Sequence, residues 1–145
     1  MATYRHAIPG SILASKRLIV SDAVTSDGDT KFTIEQPENS AINAVIVRNL
    51  DDLAFDANVT LKVSVGTQDA GEQVCAFDNL IDGSAQTLSA NTLLVPTVVA
   101  GVSDGDGGSV VSEARSLHFT LNADQTLTAT GNGRIEFTVV YRIFD

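Results

Sequence analysis

Strict alternation is the feature that most constrains this chain. In residues 58–65, Val59, Leu61, Val63 and Val65 alternate with Asn58, Thr60, Lys62 and Ser64 without a break. Side chains two apart on an extended backbone share a face, so this segment is a strand with one face on a core. Near the end of the chain, Ile135, Phe137, Val139, Tyr141 and Ile143 repeat the pattern, with Arg134, Glu136, Thr138 and Arg142 opposite. Shorter runs of the same character occupy residues 17–24, 31–36, 42–49, 73–78, 92–99, 115–121 and 126–130. Residues 42–49 are apolar on both faces at Val45, Ile46 and Val47, as a central strand requires.

Turn residues punctuate these runs at Ser26-Asp27-Gly28-Asp29, Asp82-Gly83-Ser84, residues 104–108 and Asn132-Gly133. Both residues of Asn132-Gly133 tolerate positive φ, so residues 126–143 read as a hairpin. Pro96 cannot donate to a ladder and puts residues 92–99 on a sheet edge or at a bulge. No helical period is sustained. Residues 50–56 could supply one helical turn but are too short for an independent helix, and read as a loop over one end of the fold. The fold expected is all-β: a two-sheet antiparallel sandwich with jelly-roll or related Greek-key topology. An immunoglobulin-like sandwich is the alternative, without the Cys and Trp landmarks of antibody-type domains.

Length and charge narrow the function. The 145 residues, 43% of them hydrophobic, suit one core. Arg5, Lys16 and Arg17 precede Asp22, the first of the 18 acids, whereas the other six basic residues follow it. Residues 1–17 therefore read as a basic, extended N-terminal arm, marked by Pro9-Gly10, on an acidic sandwich domain of residues 18–145. Opposite charges steer encounter, so Arg5, His6, Lys16 and Arg17 are candidate partner contacts. A net charge of −9 with scattered basic residues argues against nucleic acid. No apolar run reaches the roughly 20 residues of a membrane span, and the N-terminus lacks a signal peptide's order, so synthesis in a cytoplasm is expected.

The chemistry of catalysis is nearly missing. There are two His, one Cys and no Trp. His6 and His118 have no second ligand at metal spacing, and no serine sits in a nucleophile elbow, so no enzyme activity is expected. Cys75, in an apolar run, reads as a buried and inert thiol. Residues 66–71 (GTQDAG) lack the Lys and Ser/Thr of a phosphate loop. Acidic turns at Asp27/Asp29 and Asp104/Asp106 have carboxylates that calcium takes, but no EF-hand spacing. A solvated turn without cofactor is expected, with calcium as the alternative. Stacking on sugars needs exposed rings, for which Tyr4, Phe144, Phe55 and Phe77 are the candidates. Val140 and Phe144 put apolar groups on the polar face of the last strand and are candidate intersubunit contacts.

An arm such as MATYRHAIPGSILASKR, a compact sandwich without catalytic residues, and a final strand GRIEFTVVYRIFD together resemble the small structural proteins of tailed-bacteriophage virions. The nearest type is the capsid decoration, or cement, protein. The resemblance spans the whole chain as a pattern. It implies a virion protein made in the host cytoplasm, a homo-oligomer, commonly a trimer, standing on the capsid at local symmetry axes. The major capsid protein or other virion subunits would be its partners, and the arm would touch the shell. The alternative function is a carbohydrate-binding or adhesion module, including a phage tail, fibre or receptor-binding subunit.

Overall fold

A computed structural model of the chain describes residues 11–20, 28–99, 110–128 and 133–144. These form eight strands: β1 (Ser11–Val20), β2 (Gly28–Gln36), β3 (Ser40–Asn49), β4 (Leu53–Gly66), β5 (Cys75–Leu88), β6 (Leu93–Leu94), β7 (Arg115–Ala123) and β8 (Ile135–Phe144). One sheet has the order β1-β8-β3-β6 and the other β2-β7-β4-β5, with every neighbouring pair antiparallel. Successive strands change sheet at each connection except β4 to β5. This is the eight-stranded jelly roll, and it rules out the immunoglobulin-like alternative.

The alternation seen in the sequence faces the gap between the sheets. Val59, Leu61, Val63 and Val65 from β4 meet Ile135, Phe137 and Val139 from β8, all fully buried. Three rings fasten the layers: Phe32 stacks on Phe119 with centroids 5.1 Å apart, and Phe137 from the opposite sheet lies 4.5 Å from Phe32 and 5.7 Å from Phe119. Burying each such ring contributes about 1.5–3 kcal/mol. The central position expected for residues 42–49 holds, since β3 lies between β8 and β6. At the β4–β5 turn, Gly66 and Gly71 lie so close that a Cβ on Gly66 would overlap the Gly71 carbonyl carbon.

Three expectations need correction. Residues 11–17, assigned to the arm, belong to β1, which pairs with β8 along its whole length from Ser11↔Phe144 to Val20↔Ile135. Only residues 1–10 of the arm lie outside the described residues. The alternation of β1 is masked because Lys16 occupies its core-facing side, opposite Val139. At the margin of the sandwich its stem escapes the core and its ammonium pairs with Glu35 of β2 at 3.3 Å.

The hairpin over residues 126–143 does not form. Leu127 bridges to Phe55, and Thr128 N–H donates to the Ala54 carbonyl at 2.7 Å, while β8 inserts between β1 and β3 in the other sheet. Of the turn itself only Gly133 is described, with φ at 53°. Residues 53–56, read as part of a loop, begin β4, because Leu53 and Phe55 alternate into the core. Phe55 is therefore buried and is no exposed aromatic.

Candidate functional site

The described candidate contact residues are Lys16, Arg17, Val140 and Phe144; Arg5 and His6 lie outside the described residues. Lys16 is on the core side of β1 and is engaged with Glu35. The register places Arg17, Val140 and Phe144 together on the outer face of the β1-β8-β3-β6 sheet.

That face is laid out in rows across the strands. One row runs Ile19, Glu136, Arg48, Leu93 from β1 to β6, and the next runs Arg17, Thr138, Ile46. Below them come Ser15, Val140 and Ala44, then Leu13 and Arg142. Leu13, Ile46, Val140 and Phe144 are half-buried, whereas Ile19 and Leu93 are 43% and 57% exposed. A solvated sheet face normally alternates to polar residues, so this apolar content sets the face apart from an ordinary solvated one.

Charge on the face is organised around one carboxylate. Glu136 is nearly buried and lies 3.4 Å from Arg17 Nη1 and 3.2 Å from Arg48 Nη2. The Arg48 Nε is buried without a hydrogen-bond acceptor. Among the described residues of the face, the two guanidiniums of Arg17 and Arg48 share the one carboxylate of Glu136, on a chain of net charge −9. It is the apolar, basic face of an acidic molecule. Val140 and Phe144 are legible in the sequence as breaks in an alternation, whereas Ile46 is not, because an apolar residue on either face suits a central strand. Arg48 and Glu136 gave no local signal, because their partnership depends on strand order.

The outer face of the other sheet differs in kind. Asp29, Lys31, Thr33 and Glu35 of β2 stand beside Asn122, Thr120, His118 and Ser116 of β7. Asp29, one of the calcium candidates, sits on β2 and its Oδ1 accepts from Asn122 Nδ2 at 2.6 Å; Asp27, Asp104 and Asp106 lie outside the described residues. Among the described residues no three acidic, His or Cys side chains gather. Phe77 is 41% exposed, with the Lys62 ammonium 4.5 Å from its ring centroid. Tyr4 lies outside the described residues. Cys75 is buried, and burial pushes its thiol up to about 12, with Asp78 adding to the shift.

No protein-family model matches the chain, and no curated protein sequence matches it. Among solved structures, a chain of the cyanophage Pam1 capsid asymmetric unit is similar over 99% of this chain and 92% of its own, at 16% identity and a TM-score of 0.59. A chain of the Ralstonia phage GP4 capsid is similar over 100% of this chain and 92% of its own, at 14% identity and a TM-score of 0.58. At these identities the likeness is one of fold, and it extends over the full jelly roll.

Proposed function

We propose that this chain is a non-enzymatic structural protein of a phage particle that binds and stabilises the capsid surface as a decoration, or cement, protein. The observation that carries the reading is the outer face of β1, β8 and β3, where Ile46, Val140, Leu13 and Phe144 run along the strands away from the Arg17–Glu136–Arg48 group. Apolar area supplies affinity there and the excess of guanidinium steers an acidic partner surface. The whole-length likeness to chains of two phage capsid structures supports the same role. In this reading the face, with Arg5 and His6 from residues 1–10, meets the shell, and the protein stands on it as a homo-oligomer, with a trimer as the expected state.

The test is co-sedimentation with capsids assembled without this protein. The wild type is expected to pellet with the particles and to raise their resistance to heat or chelation. Val140→Lys combined with Phe144→Asp is expected to leave the protein folded and in the supernatant. Absence of wild-type binding, or a selective signal on a glycan array, overturns the reading in favour of an adhesion or carbohydrate-binding module.

A further inference from the structure

The two sheets meet solvent along two margins that are built differently. Where β1 faces β2, the Lys16–Glu35 ion pair ties one sheet to the other. At the opposite margin β5 and β6 are the edge strands, and no ionisable side chain occurs from Gly83 to Ser103. Apolar groups stand in solvent there instead. Leu93, Val95 and Val99 are 57%, 53% and 40% exposed. The backbone fixes them in place: Leu94 pairs with Val47 at one end, and Val99 N–H donates to the Val74 carbonyl at 2.7 Å at the other.

Charge identifies what this margin can receive. Two copies of a chain with net charge −9 repel over most of their surfaces. Along Leu93–Val99, apolar and without an ionisable side chain, they meet without setting carboxylate against carboxylate, and apolar area is removed from water on both sides. Edge strands are ordinarily guarded by Lys or inward-pointing charge, and β6 with the residues after it to Val99 has neither, the acids of the β5 edge, Asp78 and Asp82, lying ahead of Gly83. What the margin has is Pro96, buried and without an N–H, and a β4–β5 pairing broken by repeated register shifts. Those features stop a ladder from continuing into a neighbour, so contact is made by side chains and not by sheet extension.

We infer that the β5–β6 margin is the surface on which a second copy of this chain docks, with Leu93, Val95 and Val99 at its centre. This deepens the homo-oligomer in the function proposed above and rests on it, while assigning self-association to the β6 edge, where Leu93 ends the outer-face row, and leaving the β1, β8 and β3 part of that face to the shell.

Sedimentation of the free protein at micromolar concentration tests it. The wild type is expected to run as an oligomer, and Leu93→Asp combined with Val95→Lys as a folded monomer by circular dichroism. Val99→Lys is the second variant and should weaken association alone. Moderate salt should leave the wild-type oligomer intact, because no charge pair holds the contact. A monomeric wild type, or a Leu93/Val95 variant of unchanged mass, overturns the inference. The Val140/Phe144 variant keeps the two readings apart. It should remain oligomeric while losing particles, and an oligomer that never binds particles removes the capsid role without touching the margin.

Discussion

Glu136 shows how much one side chain depends on strands distant in sequence. Its carboxylate is 11% exposed and serves Arg17 from β1 and Arg48 from β3. Its loss leaves two guanidiniums facing one another, one with a buried and unaccepted Nε. Arg17 is 63% exposed and largely screened, so the cost lies mainly with Arg48. Glu136→Gln should lower stability by about 1–2 kcal/mol in urea denaturation, and an unchanged midpoint would show the group to be ornamental. Asp51 works at the end of the sandwich, where its carboxylate binds Arg134 through Nη2 at 2.9 Å, Nε at 3.2 Å and the backbone N–H at 2.9 Å. The Arg134 side chain, then its backbone N–H, hold the Asp51 carboxyl below the usual 3.8. A folded-state value that is depressed contributes stability above the unfolded value and loses it as pH falls through the folded one. The gap between wild type and Asp51→Asn should therefore be full at neutral pH and close as pH drops below about 3.8. A pH series of denaturation midpoints checks this. Asp82, also held low by Ser84, titrates in both proteins and cancels.

At the scale of elements, β1 decides where the domain begins. Removing residues 1–10 leaves every described strand pair in place. Removing residues 1–17 strips most of β1 from β8 and exposes that strand's edge and the core beneath Leu18. The first truncation should melt like the full chain, and the second several degrees lower with a tendency to aggregate, as thermal scans with light scattering would record. Equal melting of the two would return β1 to the arm. The strands themselves were legible because burial of one face imposes a period of two, as in residues 58–65. Their partners were not. Asn132-Gly133 carries sound turn chemistry, yet a turn does not choose a sheet. Leu127 goes to Phe55 and β8 goes to β1 and β3 because the jelly roll crosses between layers at that link. Lys16 hid β1 for a related reason, since a charge on the core side is tolerated only at a margin whose neighbour across the gap supplies Glu35. The contact face suffered most, because Val140 and Phe144 were visible as breaks in one strand whereas Ile46, Arg48 and Ile19 join them only once the register is known.

For the molecule as a whole, the two proposed contacts answer differently to salt. The basic face steers an acidic partner, so its association rate should fall as ionic strength rises and the Debye length shrinks toward about 8 Å at physiological salt. Binding kinetics to particles across a salt series should show that slope, reduced in Arg17→Ala, while self-association through Leu93, Val95 and Val99 stays insensitive. Salt-independent particle binding would remove the electrostatic part of the docking argument. The placement of β8 reaches beyond the finished structure. It lies between β1 and β3, joined to Ser11–Val20 on one side and Ser40–Asn49 on the other, so a strand made early waits for one made more than a hundred residues later. Until residues 135–144 have emerged from the ribosome, half of the molecule has no centre. Folding is thus deferred until after that stretch is synthesised, and the cell must keep an open, apolar sheet out of trouble in the meantime.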